Sequence, residues 1–395
     1  MSVVNKIQYI LSLSLGLFPL IPSPYLSYLI SLWALISLIN CRKIQFNPSS
    51  VAEFIILVSP FFLYVVHAVI SENKNNIQAM LTASGFLIFP LGMLFTNHSV
   101  WIQNKLLFIR IFSGSIITTG VFSTIYFYVF GFQGNYDISH DFFFIYRNEI
   151  NQLIKIHPTY ISLMIAFVLM FYFLNWNELS NTRKKITLLM CFILLIYFYL
   201  LSARTVWVAL LLGLTIALVF NNTKHRWKWI LGIAITGMLF VLINPRNQEF
   251  FSYRADTEIN NTIHVRSRIL ECSLEQLKNN FWIGSGPERS EKLLIHCYGN
   301  NPVFSKQIYN SHNQYIDFIL KFGITGILIL LIYLGYSFAK AIQKKNMWHV
   351  SLLIMTMICL MTENIFSRQH GLIFFSLMNT WLLISYQQKK ATEIQ

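Results

Sequence analysis

About twelve apolar runs follow one another along this chain, at 8–22, 25–40, 51–70, 77–96, 105–130, 158–175, 186–203, 204–220, 227–243, 315–338, 347–362 and 369–387. Runs of this length cross a bilayer hydrocarbon core, or nearly do, when coiled as helices. Only 12% of the residues are charged against 55% hydrophobic. That is about half the charge an ordinary globular domain carries, too little to cover a soluble surface. The expected fold is an all-α polytopic membrane protein of about twelve transmembrane helices. The run from Tyr9 to Ile21 resembles a signal peptide, but no small-residue cleavage site follows and another apolar run begins at Tyr25. It reads as an uncleaved anchor.

The formal net charge of +14 would suit nucleic acid if it formed one patch. Instead the lysines and arginines fall in short clusters between apolar runs, as in cytoplasmic loops. With the N-terminus in the cytoplasm, sixteen basic residues face inward, from Lys6 through Arg183–Lys185 to Lys389–Lys390. Five lie in short outer joints: Lys74, Arg147, Lys155, Arg204 and Arg368. This asymmetry puts both termini inside and the two longest polar connections, about 131–157 and 244–313, outside. The chain thus divides into a first set of nine spans (1–243), an outer subdomain (244–313) and three last spans with a short tail (314–395). The basic balance points to anionic lipid or a phosphorylated substrate, and nucleic acid is not expected.

The outer connection 244–313 holds seven of the sixteen acidic residues and eight of the thirty basic ones. Seventy residues of mixed charge with helix signals suggest a small folded cap rather than a linker. Within it, residues 264–281 read as an amphipathic helix with Leu270, Ser273, Leu274, Leu277 and Phe281 on one face and Arg266 at its edge. Arg268 points the other way, toward Glu271 and Glu275, as part of a solvated ion-pair strip. Gly284-Ser285-Gly286-Pro287 then breaks the helix. An oxidising compartment would permit Cys272 and Cys297 to pair, but spacing alone leaves this open. Cys41, Cys191 and Cys359 lie in or beside apolar runs and suggest no metal site. The halves show no strong repeat, unlike many two-fold transporters.

Polar groups cluster at the outer ends of the runs. Arg204 stands between two apolar runs, a costly place without a partner or a water-filled cavity, although it can also snorkel to the interface. Arg266 can serve the cap or pair within it. His312, with Asn313, Tyr309 and Tyr315 near it in sequence, sits where a polar loop enters a span. It can act as a base or merely begin the helix. Glu363, Arg368 and His370 surround the last outer turn, where a salt bridge alone would account for them. His157-Pro158-Thr159-Tyr160 is equally a plain helix start, and Gly323/Gly326 suits close helix packing. Two arginines and a histidine at one membrane face suit a lipid-linked diphosphate. Guanidinium groups grip phosphate oxygens and keep their charge, and histidine accepts a proton near neutral pH. No Asp-x-Asp metal site or nucleotide loop appears on the outer side, and no cofactor is expected.

Tyr-Asn-Ser-His-Asn-Gln-Tyr at 309–315 followed by Phe-Gly-Ile-Thr-Gly, the Ser-Ala-Arg ending at Arg204, and Arg266 leading into Ile283-Gly284-Ser285-Gly286 resemble the O-antigen ligase and O-antigen polymerase superfamily of bacterial envelope glycan assembly. The resemblance covers about residues 150–387. It implies a GT-C-like, metal-independent, inverting glycosyltransferase of the inner membrane, with its active site facing the periplasm. The donor would be an undecaprenyl-diphosphate-linked glycan, and the acceptor lipid A-core or a growing glycan. By the family pattern Arg204 and Arg266 bind the diphosphate and His312 activates or orients the acceptor hydroxyl. Arg268 is the alternative phosphate ligand if the helix phase differs. Asn313, Tyr309, His157, Tyr160, Glu363, Arg368 and His370 are the further candidates for substrate contact. A polysaccharide flippase and a protein O-oligosaccharyltransferase are the alternative readings.

Overall fold

A computed structural model describes residues 3–39, 48–71, 74–94, 105–131, 140–220, 226–243, 262–299 and 310–384. Cys41 and Tyr309 lie outside these. Among the described residues the chain is helical, without strands. The first half runs α1 (Val3–Ser14, continued by a 3-10 segment, Leu15–Leu20), α2 (Ser23–Ile39), α3 (Pro48–Ser71), α4 (Lys74–Ala83), α5 (Gly85–Leu94), α6 (Lys105–Tyr126), α7 (His140–Ile154) and α8 (Pro158–Leu174). Then follow α9 (Asn181–Leu201), α10 (Arg204–Phe220), α11 (Arg226–Ile243), α12 (Thr262–Asn280), α13 (Pro287–Tyr298), α14 (Gln314–Gln343), α15 (Met347–Leu360) and α16 (Gln369–Ile384).

Every expected apolar run falls on one of these helices or a pair of them. Among the described residues six stretches are both long and apolar enough to cross a membrane: Val3–Leu20, Val51–Ile70, Asn75–Leu94, Lys105–Phe130, Asn181–Leu201 and Gln314–Gln343. A seventh arises if Phe142–Ile154 and Pro158–Leu174, bent by 89°, count as one broken span, and α2, α10 and α15 are apolar but shorter. The outer connection expected at 131–157 is therefore not simply a loop, because it carries α7.

Burial grades the helices as a membrane bundle requires. Along α8 and α16 nearly every side chain is buried, the mark of helices apolar all round. On α9, by contrast, Ile186, Leu188, Leu189 and Phe192 are exposed together, a patch too apolar to face water. Polar side chains tie the central helices. Asn379 donates to the Tyr333 hydroxyl at 3.2 Å and to Ser337 Oγ at 3.1 Å, and its oxygen meets His349 Nε2 at 2.8 Å. In an apolar interior such bonds fix helix register, since the alternative is an unpaired polar group.

α14 is not one continuous helix. Gly323 adopts φ 66°, ψ −157° and breaks it, leaving carbonyls without helical partners. The turn after α12 supplies the donors: Ser285 N bonds Leu320 O at 2.8 Å and Gly286 N bonds Lys321 O at 2.9 Å. A Cβ on Gly284 would lie 2.5 Å from the Lys321 carbonyl oxygen, and one on Gly323 would lie 2.3 Å from Trp282 O. These glycines permit a backbone-to-backbone approach, so Gly323 serves the cap rather than packing between spans.

The cap helices α12 and α13 share a small core of Ile269, Cys272, Leu294 and Tyr298 that rests on Leu320 of α14. The buried face of α12 therefore runs through Ile269, Cys272 and Ser273, whereas Leu270 and Leu274 are 45% and 49% exposed. The expected face keeps Ser273, which is buried, and Leu277, which packs on the cap core, but loses Leu270, Leu274 and Phe281 to the exposed side; inside instead is Cys272, joined to Cys297 in a disulfide with Cα atoms 5.7 Å apart. α13 docks on α4 through Asn75, which donates to Glu288 Oε1 at 3.2 Å, and Asn76 Oδ1, which accepts from Glu288 N at 3.1 Å. The disulfide closes a sequence separation of 25 residues, worth about 3 kcal/mol of chain entropy. Reduction is thus expected to speed hydrogen exchange of α12 and α13 amides roughly a hundredfold; unchanged protection would show that the cap needs no staple.

Candidate functional site

At one end of the bundle, five chain segments bring charged groups together. The first is α7. Arg147 on it donates through Nη1 to Leu201 O at 2.8 Å and Ser202 O at 3.0 Å, closing the C-terminus of α9 with a cation, where the helix dipole favours one. Ser202 takes a left-handed conformation, φ 45°. This turn ends α9 and lets α10 begin at once with Arg204, partly buried. Arg147 lies within electrostatic reach of Arg204, Arg266 and Glu363.

His312 has the same kind of backbone, φ 46°, unusual for a residue with a Cβ. Its neighbours hold it there. Asn310 Oδ1 accepts from His312 N at 3.1 Å, and Asn313 Oδ1 caps α14 by accepting from Tyr315 N at 3.0 Å and Ile316 N at 3.2 Å. The Asn313 side-chain oxygen is thereby committed to the helix cap. Ser311 and Asn364 exchange hydrogen bonds, with Asn364 Nδ2 3.1 Å from Ser311 Oγ. The segment carrying His312 is so pinned to the turn carrying Glu363.

Glu363 is the centre of the cluster. His312 Nδ1 stands 3.5 Å from its Oε2, and Arg266 Nη2 stands 3.8 Å from its Oε1. Both separations exceed a closed hydrogen bond, as is common in a catalytic pair without substrate. The Glu363 side chain is only 12% exposed. Burial alone would push its carboxyl up, but the approach of His312 and the fields of His157, His312 and Arg266 hold it down to about 2. It is an anion throughout the working range.

His157 caps the start of α8 with its ring 5.3 Å from that of Tyr160, and its Nδ1 is buried without a hydrogen-bond partner among the described residues. Burial pushes the imidazole down to about 4; Glu363 opposes this and Arg147, Arg368 and His312 add to it. His157 is neutral at pH 7. Tyr160 is buried and spends its hydroxyl on Asn364 O, 3.1 Å away. Arg368 is exposed but near enough to act on His157 and Tyr160.

Two of the expected residues stand apart. Arg268 is exposed, pairs with Glu271 at 3.3 Å and donates to Cys297 O at 3.3 Å, on the side of α12 away from Glu363. His370 is 5% exposed at the start of α16, its Nε2 without a hydrogen-bond partner among the described residues, and no described bond joins it to the cluster. Tyr309 lies outside the described residues.

A buried network absent from the sequence expectations supports the turn. Asp317 Oδ2 accepts from Lys321 Nζ at 2.6 Å, Ser367 Oγ at 3.0 Å and Gln314 Nε2 at 3.1 Å. Gln314 Oε1 accepts from Phe366 N at 2.7 Å. Asp317 and Lys321 are an i,i+4 pair inside an apolar run, and that spacing is the signal that could have found them. Arg147 follows an aromatic stretch and has Glu149 two residues on, so no local pattern marked it.

Arg147 and Arg266 lie within electrostatic reach of Glu363, Arg204 within reach of Arg147, and Arg368 within reach of His157, so the site carries a surplus of positive charge. It fits a multiply charged anion. Among the described residues no three His, Cys, Asp or Glu side chains gather as a metal set. Residues 189–331 match the family model described as O-Antigen ligase, which supports the resemblance of the motifs to the O-antigen ligase superfamily. The matched stretch carries Arg204, Arg266 and His312, while Arg147, His157 and Glu363 come from outside it. No curated protein matches the chain.

Proposed function

We propose that the protein is a membrane glycosyltransferase that moves a glycan from undecaprenyl diphosphate to an acceptor hydroxyl on the periplasmic side of the inner membrane. The O-antigen ligase match and the apolar helices support the class. The observation that carries the mechanism is the approach of His312 Nδ1 to a buried, ionised Glu363 whose other oxygen faces Arg266. Twelve crossings of a GT-C-like bundle, with both termini in the cytoplasm, accompany this reading, because the basic residues cluster in alternate connections between the apolar runs of the sequence.

Glu363 faces the Nδ1–H of His312 as its hydrogen-bond acceptor, which holds the tautomer whose Nε2 takes up the proton, the base-and-orienter logic of nucleophile activation. The acceptor hydroxyl gives its proton to Nε2 as its oxygen attacks the anomeric carbon. The bond from that carbon to the phosphate oxygen breaks, and the negative charge gathering on undecaprenyl diphosphate is met by Arg204 and Arg266. One displacement inverts the anomeric centre. The acceptor is lipid A-core or the end of a second carrier-bound glycan.

Purified protein supplied with labelled donor and, in parallel, lipid A-core, carrier-linked glycan or a periplasmic protein tests the reading and names the acceptor. His312→Ala is expected to lower transfer by about 10²–10⁴, the usual worth of a general base, and Arg204→Ala and Arg266→Ala by about 10²–10³ each, as for lost donors to a developing anion. Full activity in all three variants would end the proposal.

A further inference from the structure

A groove of about 200 Å³ runs between α6 and α9, walled by Ile117, Val121 and Ile125 on one side and Ile193, Ile196 and Leu200 on the other. Gly120 leaves the space at its floor that the Tyr197 ring occupies. The rim faces the lipid: Val121, Ile125 and Ile196 are 45%, 58% and 47% exposed. The groove offers little to a polar ligand, since the hydroxyl of Thr124 is taken by the Tyr146 hydroxyl at 2.7 Å. Its chemistry therefore suits a hydrocarbon chain.

Where the groove ends gives its occupant. Leu200 is the last lining residue on α9, and the carbonyls of the next two residues, Leu201 and Ser202, hold Arg147. Arg204 follows directly. From Ile193 to Leu200 the wall is about 10 Å long at the helical rise, so an apolar slot leads along the helix to the rim of the guanidinium cluster. We infer that this groove seats the first isoprene units of the donor's polyprenyl tail, with the diphosphate beyond its end at Arg204. The inference rests on the reading of the donor as a polyprenyl-diphosphate-linked glycan.

Donors with one head and either a long or a short prenyl tail test it. Wild type is expected to favour the long tail at least tenfold in kcat/KM, and Val121→Trp and Ile196→Trp, which fill the groove from the lipid side, to bring that ratio near one. Leu189→Trp, on the exposed face of α9 beyond the groove, should leave it unchanged. A merely structural defect would depress both donors alike. In a second measurement, photoreactive polyprenyl diphosphate without sugar should label α6 and α9 peptides of wild type, and unlabelled polyprenyl diphosphate, but not phosphatidylglycerol, should suppress the labelling. Ratios unaltered in both tryptophan variants, labelling elsewhere, or equal competition by phospholipid would overturn the assignment. If wild type transferred neither donor, the proposed reaction would fall and the labelling alone would decide the groove.

Discussion

Glu363→Gln is expected to lower glycan transfer by about 10² or more while leaving donor binding nearly intact. The amide keeps the shape of the carboxylate but cannot stabilise the imidazolium that forms as His312 accepts the hydroxyl proton, and a wrongly held tautomer is among the costliest faults of a base-and-orienter pair. Because the two side chains act as a unit, Glu363→Gln with His312→Gln should be hardly worse than His312→Gln alone. Additive losses would show that Glu363 acts by itself. The same substitution should alter stability with pH. The folded carboxyl sits at about 2, below its ordinary 4.5, so the unfolded state binds the proton more readily. Its stabilisation is therefore complete above about pH 4.5 and is lost as pH falls from there through 2. The shift corresponds to an effect of order 3 kcal/mol. Thermal unfolding of wild type should weaken across that window, and the glutamine variant should lack this component; parallel curves would contradict the placement of Glu363 among the cations.

The ease with which the helices were legible in sequence, and the difficulty of the site, have one physical origin. A membrane helix must satisfy its own backbone, so apolarity over some twenty residues suffices to find it. Over their described residues the twelve expected runs fall on helices, and six or seven stretches are long and apolar enough to cross a membrane. Arg204 and His312 stood out because charges and imidazoles beside apolar runs are costly without a purpose, and Arg266 because it falls at the edge of an amphipathic helix face. What joins them is less visible. The approach of Glu363 to His312 depends on Ser311 meeting Asn364 across 53 residues, a contact between segments that no local pattern encodes. The phase of α12 went astray for a related reason. Leucines dominate a hydropathy pattern, but the disulfide of Cys272 and the contact with Leu320 decide which face turns inward. Left-handed backbone at Ser202 and His312 was likewise hidden, since neither residue type announces it.

Gly323→Ala tests the junction on which this geometry hangs. The left-handed φ of 66° at Gly323 costs an alanine about 1–2 kcal/mol. The added Cβ would also fall 2.3 Å from Trp282 O. That atom is backbone, and the glycine-rich turn behind it is held by Ser285 N on Leu320 O and Gly286 N on Lys321 O, so it cannot swing aside as a side chain would. Either those two hydrogen bonds break, leaving their carbonyls unpaired at further cost, or α12 lifts from α14. The expected outcome is a loss of about 3 kcal/mol or more, together with most of the transfer activity, because the second route withdraws Arg266 from Glu363. Gly335→Ala is the matched control: it lies in regular helix of the same element with nothing within 4 Å of the added methyl, and alanine there favours the helix. Thermal unfolding and transfer by the two variants side by side decide the matter. Equal stability and equal activity would mean that the broken helix does not hold the cap over the site.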